Sequence, residues 1–176
     1  MTREPTEVLI PADAIAQRVA TLAEEIAKDF PPDMMIVSLL RGSFVFTADL
    51  IRALHGVGAT PQVDFMTLAS YGRGTSSSGT VEIVRDMTES VEGRDVLIVD
   101  DILESGRTLT FARDLIVKRG ARSTRIAVLL EKPGKRAVDI EADFVGFHVE
   151  DKFVVGYGLD YANYYRELPY IGVIGN

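Results

Sequence analysis

The sequence predicts an α/β protein: a mostly parallel twisted sheet flanked by helices in three layers. Three observations carry that prediction. Short continuous apolar runs at Met34–Leu40, Val96–Val99 and Ile126–Leu130 are too short for good helices and fit strands covered on both faces. Helical patterns lie before and between these runs, the alternation expected of right-handed β–α–β crossovers. Residues able to bind ligands gather just beyond the carboxyl ends of the runs, where open parallel sheets hold their ligands.

Along the chain, Ile10 to Phe30 forms the first helical pattern, with Ile15, Val19, Leu22 and Ile26 on one stripe and Pro31-Pro32 stopping it. After the run at Met34–Leu40, Arg41-Gly42-Ser43 breaks the strand and leads into a helix over Phe44–Leu54. Gln62–Ser70 alternates as a strand with Val63, Phe65 and Thr67 on one face. Tyr71 to Thr80, with three glycines and five hydroxyl residues, reads as a mobile loop, and Val81–Met87 as the strand returning from it. Glu92-Gly93-Arg94 makes a turn before Asp95–Val99, and that strand ends in Asp100-Asp101. A helix over Arg107–Arg119 follows and stops at Gly120. Beyond Ile126–Leu130, Glu131 to Arg136 is a charged turn, and Phe144–Phe147 and Phe153–Tyr157 supply two last strands. No repeat or linker divides the 176 residues, so one domain is expected.

Composition narrows the chemistry. The 26 acidic residues exceed the 19 lysines and arginines, a net charge of -7 that disfavours a broad nucleic-acid-binding face while allowing a local anion pocket. The absence of cysteine removes disulfides, thiolate metal sites and cysteine nucleophiles together. Met1 to Pro5 carries no apolar leader pattern, and no run approaches the roughly 20 residues of a membrane span. A cytoplasmic address without membrane association is therefore expected.

The strongest chemical signal is Val96 to Thr110: an apolar strand, two carboxylates at its end, then Glu104-Ser105-Gly106-Arg107-Thr108 opening a helix. Unpaired N–H groups, a permissive glycine and two hydroxyls suit a phosphate monoester. The acidic pair repels phosphate and suits a sugar diol or a hydrated divalent cation. The same residues also read as a solvated acidic turn with an ordinary Ser or Thr cap. Neither GxGxxG nor GxxxxGK[ST] occurs, so the dinucleotide and triphosphate loops are excluded. His55 and His148 have no local ligand set around them.

Val96 to Leu109 resembles the 5-phosphoribosyl-1-pyrophosphate (PRPP) motif of the type I phosphoribosyltransferases. Leu39–Ser43, Leu129–Lys132, and Asp151–Tyr161 with Arg166 narrow the resemblance to the hypoxanthine-guanine phosphoribosyltransferases. The resemblance implies the type I fold with a small hood formed by the terminal segments. It implies purine salvage with Mg2+: PRPP and hypoxanthine or guanine give IMP or GMP and pyrophosphate, in a homodimer or homotetramer. Ser105, Gly106, Arg107 and Thr108 would hold the 5'-phosphate, and Asp100 and Asp101 the ribose hydroxyls and their metal. Leu40, Arg41 and Gly42 would form the pyrophosphate loop, with a cis Leu40–Arg41 bond, and Arg166 would bind pyrophosphate too. Ser70 and Tyr71 would begin a flexible lid. Lys132 would donate to the purine 6-oxo group, Phe153 would stack on the ring, and Val154 would offer backbone groups at the 2-position. Asp160 would be a second metal-associated carboxylate, and Glu104 would handle the N7 proton.

Three positions depart from the family pattern: Arg41 where lysine is common, Asp100 where glutamate is frequent, and Glu104 where aspartate is normal. A xanthine-active purine enzyme is a close alternative. An RNA-binding regulator on the same fold is a distant one, against which the net charge and Lys152-Phe153 argue.

Overall fold

The computed structural model describes residues 5, 7–71 and 80–175. The elements in chain order are β1 (Glu7–Ile10), α1 (Ala12–Asp29), β2 (Met35–Leu40), α2 (Phe44–Gly56), β3 (Gln62–Tyr71), β4 (Thr80–Arg85), β5 (Asp95–Leu103), α3 (Arg107–Lys118), β6 (Ser123–Glu131), β7 (Phe144–His148), β8 (Val154–Val155) and β9 (Ile171–Val173). Six of the strands form one sheet in the order β4-β3-β2-β5-β6-β7. All its pairings are parallel except the one between β3 and the edge strand β4.

The central strands read as unbroken apolar runs because both faces are buried. On β5, Leu97 and Val99 join a core shared with α1 and α2, while Val96 and Ile98 join a second core shared with α3. Strand alternation carries this division into the acidic pair, directing Asp101 toward the α2 side and Asp100 toward the α3 side. α1 buries the expected stripe of Ile15, Val19, Leu22 and Ile26, with Ala23 added. It ends where Phe30 turns extended ahead of Pro31-Pro32. After α3, Arg119 caps the helix and Gly120 takes the left-handed conformation, φ 88°.

Several expectations need correction. Ile10 belongs to β1 rather than to the first helix, which begins after Pro11. β5 does not end at the acidic pair but stays in register with β6 through Leu103 opposite Glu131. Phe153–Tyr157 contributes only the two residues of β8, which lie outside the main sheet in a three-stranded antiparallel sheet of order β1-β9-β8. Backbone curvature explains the short strand: Gly156, Tyr157 and Gly158 all have positive φ. The small sheet joins the two ends of the chain, and its Ile10, Val154 and Ile171 pack into the same core as α1 and α2. The loop expected between Tyr71 and Thr80 falls on residues 72–79, outside the described residues; Ser70 is exposed and paired with Val81 at its base.

Candidate active site

Beyond the carboxyl end of β5, a cavity of about 220 Å3 is lined by Asp100, Asp101, Glu104, Ser105, Gly106 and Thr108, among others. Gly106 caps α3 from the left-handed region, φ 81°, and has no side chain to cap the first-turn amides. Those N–H groups are the natural ligands of an anion at this helix start. A Cβ on Gly106 would strike Ile140, so the residue is fixed by both conformation and space. Arg107 stands at the first position of α3, where its N–H lies 3.4 Å from Ser105 Oγ.

The N–H of Asp101 donates to Asp100 Oδ1 at 2.9 Å. Burial pushes the Asp100 carboxyl well up from its ordinary range, helped by the adjacent Asp101 charge and the side-chain hydrogen bond between the two carboxyls, and opposed by the Asp101 N–H. Burial also raises Asp101, opposed by its hydrogen bond with Asp100 and by the Arg166 charge. A folded-state pKa above the unfolded value of 3.8 means that ionising Asp100 destabilises the fold increasingly as pH rises through that window. Asp100→Asn is thus expected to raise Tm at neutral pH, with a gain of about 0.5–2 kcal/mol that shrinks as pH falls toward about 4. Where the acidic pair holds PRPP and Mg2+ as the resemblance implies, the same change should weaken that binding by at least about tenfold. Paired thermal melts and titrations check both, and a variant no more stable than wild type at pH 7 counts against the buried-pair argument.

A second cavity, about 250 Å3, shares Asp101, Ile102 and Glu104 with the first and adds Lys132, Phe153, Val154, Leu159 and Asp160. Lys132 is buried and ion-paired with Glu104, whose side chain is 46% exposed; Asp151 stands 3.9 Å from the same ammonium. Phe153 is half exposed and meets Tyr161 edge-on at 5.7 Å between ring centroids. The amide of Ile174 donates to Phe153 O, making that a hydrogen-bonded pair of the β8–β9 ladder. Val154, opposite Val173, is therefore in the alternate register and turns its N–H and C=O away from β9, at the free edge of the small sheet.

Between β2 and α2, the Leu40–Arg41 bond is cis. Arg41 is exposed, and Gly42 is wedged: a Cβ there would land on the Asp101 carboxylate. A Cβ on Gly158 would in turn strike Gly42 O, so the loop is held from two sides. Beneath it lies a buried hydroxyl network that the sequence reading missed. Ser38 Oγ is 2.8 Å from Ser43 Oγ and 2.7 Å from Thr47 Oγ1, and Ser43 Oγ donates to Leu39 O at 2.5 Å. Three hydroxyls recurring at spacings of five and four were the available signal, since a polar residue inside an apolar strand requires buried partners. Arg166 donates to Gly158 O at 2.6 Å and pairs with Asp160 at 2.8 Å, while Asn163 N–H occupies the other Asp160 oxygen. The four described non-glycine residues with positive φ are Tyr157, Ala162, Asn163 and Tyr165, all in the turn that presents this pair. Such backbone strain costs on the order of 1–3 kcal/mol per residue and concentrates where geometry serves a site.

Among the described residues, no group of three or more potential ligands converges on a metal position. The donor set nevertheless fits Mg2+, which keeps most of its shell as water and substrate oxygens and takes only one or two carboxylates. Asp100 and Asp101 would supply them at the end of β5, with Asp160 a separate metal-associated carboxylate.

The sheet gathers an acidic pair, an open helix start and a tightly packed glycine loop at its carboxyl edge, and the family model described as a phosphoribosyl transferase domain matches residues 8–162. The hypoxanthine phosphoribosyltransferase of Escherichia coli strain K12 is 47% identical over 175 residues, covering 98% of this chain and 97% of that protein. The hypoxanthine-guanine phosphoribosyltransferase of Bacillus subtilis strain 168 is 46% identical, covering 99% and 96%. A crystal structure of the Staphylococcus aureus hypoxanthine phosphoribosyltransferase superposes with a TM-score of 0.91 at 42% identity, covering 98% of this chain and 92% of that one. The chain belongs to the hypoxanthine-guanine phosphoribosyltransferases. Among the described residues no helix is long and apolar enough to cross a membrane.

Proposed function

We propose that this chain transfers the 5-phosphoribosyl group of PRPP to N9 of hypoxanthine or guanine, yielding IMP or GMP and pyrophosphate. The observation that carries the proposal is the Lys132–Glu104 pair in the wall of the second cavity, next to the half-exposed face of Phe153. A donor beside an acceptor matches the purine edge that presents a 6-oxo acceptor beside an N7–H donor. Adenine, with an amine at that position, presents a donor to a donor. Val154 turns free backbone groups toward the 2-position, and the 105–108 turn with α3 accepts the 5'-phosphate.

The exocyclic bond from ribose C1' to the pyrophosphate oxygen breaks as the N9–C1' bond forms, and Glu104 accepts the N7 proton as N9 becomes bonded. Arg166 and the amides of the Leu40–Gly42 loop stabilise the departing pyrophosphate, and positioning supplies most of the rate. The chemistry that Mg2+ supplies when bound is neutralisation of pyrophosphate charge. A single domain over 1–176 with the small sheet as hood, a lid beginning at Ser70 and Tyr71, a homodimer or homotetramer and a cytoplasmic address complete the proposal on the family resemblance.

The test is a panel of hypoxanthine, guanine, xanthine, adenine and uracil with PRPP and Mg2+, read by pyrophosphate release. Hypoxanthine and guanine should exceed adenine by at least about a hundredfold in kcat/KM. Comparable use of adenine or uracil, or salt-sensitive RNA retention without turnover, rejects the assignment. In the same assay Glu104→Gln should lower purine kcat/KM by about a hundredfold or more with PRPP binding retained. Wild-type efficiency in that variant removes Glu104 from the proton-transfer role.

A further inference from the structure

The β5–β6 ladder ends with Leu103 opposite Glu131, one residue short of both Glu104 and Lys132. Beyond that rung, sheet pairing no longer sets the spacing of the two side chains. A single guanidinium occupies the gap. Arg136 Nη1 donates to Glu104 O at 2.9 Å and lies 3.3 Å from Leu103 O and 3.5 Å from Lys132 O. Its Nε donates to Ile140 O at 3.0 Å, and Nη2 pairs with the Glu131 carboxylate, whose other oxygen is 2.9 Å from His148 Nδ1. Two backbone bonds run alongside, from Lys132 N–H to Leu103 O at 3.0 Å and from Ala137 N–H to Ser105 O at 2.9 Å.

We propose that Arg136 is a positioning residue for purine recognition, clamping the Glu104 loop to the Lys132 turn so that carboxylate and ammonium meet the N7 and 6-oxo groups of one base. The proposal rests on the functional reading above. A planar guanidinium is suited to the task because its five N–H groups point in three fixed directions, here toward the carbonyls of Leu103, Glu104 and Lys132, the carbonyl of Ile140 and the Glu131 carboxylate. An ammonium has three donors at one point and cannot span them. Arg136 and Glu131 are only 23% and 15% exposed, so water does not readily replace either partner.

Arg136→Lys tests the clamp, with Glu131→Gln as a second variant that keeps an acceptor oxygen and removes its charge. Initial rates are measured against hypoxanthine and PRPP separately. In the substrate-free protein, acetylation of Lys132 by acetic anhydride is followed by peptide mass mapping, with exposed Lys118 as reference. Arg136→Lys is expected to lower hypoxanthine kcat/KM by at least about tenfold, to leave the PRPP KM within about twofold, and to speed Lys132 acetylation. Glu131→Gln should move hypoxanthine kcat/KM and Lys132 acetylation in the same directions but less, with the PRPP KM again within about twofold. Unchanged Lys132 labelling, or purine and PRPP kinetics falling together, overturns the proposal. If Arg136→Lys does not melt cooperatively, Glu131→Gln decides alone. If wild type turns over no hypoxanthine, the functional reading fails, and the labelling ratio still reports whether the clamp holds the Lys132 turn.

Discussion

Lys132→Ala is expected to lower kcat/KM for hypoxanthine and guanine by about 10- to 150-fold, the equivalent of a charged hydrogen bond of about 1.5–3 kcal/mol. The lysine is 6% exposed and lies in the cavity with Phe153 and Val154, so truncation leaves the 6-oxo group facing an apolar gap. Its partner Glu104 is 46% exposed and is hydrated once the pair is broken, so the fold should survive the change. The PRPP KM should move by less than about threefold, because no Lys132 atom lines the cavity at the start of α3. Steady-state kinetics with each substrate varied in turn makes the comparison. A loss of PRPP affinity as large as the loss of purine efficiency means that the two half-sites have been drawn in the wrong places.

Gly42→Ala should be at least as damaging through a different route. The added methyl would occupy the position of the Asp101 carboxylate, and retreat is blocked by Gly158 packed against Gly42 O. Either Asp101 leaves its place beside Asp100 or the loop shifts, and a displacement of about 1 Å in a positioned group costs on the order of a hundredfold in rate. The loss is expected in kcat/KM for PRPP, with purine KM little changed. Gly56→Ala is the control: Gly56 is the last residue of α2, has ordinary φ, and a Cβ there meets nothing within 4 Å. It should keep full activity and gain up to about 1 kcal/mol of helix stability. Wild-type PRPP kinetics in Gly42→Ala would falsify the steric argument.

The two larger cavities meet this chemistry only at Arg166, which lines the second of them. One of about 700 Å3 lies under the turn from Glu131 to Ala142, and one of about 650 Å3 lies between α2 and the 166–169 segment. Volume alone leads away from the acidic pair; the placement of charged and strained residues leads to it.

By itself the sequence determined the central strands, the three helices and the glycine turn that opens α3. Each is a local pattern: Leu97 and Val99 alternate with Val96 and Ile98 because both faces are buried, and Ser105-Gly106 opens a helix through chemistry contained within five residues. The resemblance then named Lys132, Phe153 and Val154 as a group, although nothing in their spacing brings them together. Tertiary structure alone decided the rest. β1 and β9, of four and three residues, are too short to carry a period and exist by pairing with each other across the length of the chain. The reach of β5 to Leu103 depends on β6 lying alongside, since Asp100 and Asp101 interrupt the apolar pattern that marks a strand. The Lys132–Glu104 pair, Gly42 against Asp101 and Arg136 across two loops likewise join residues far apart in sequence. Backbone propensity and hydrophobic period act over one or two turns of chain, whereas these contacts are fixed only when the burial of two cores brings the strand ends to one edge.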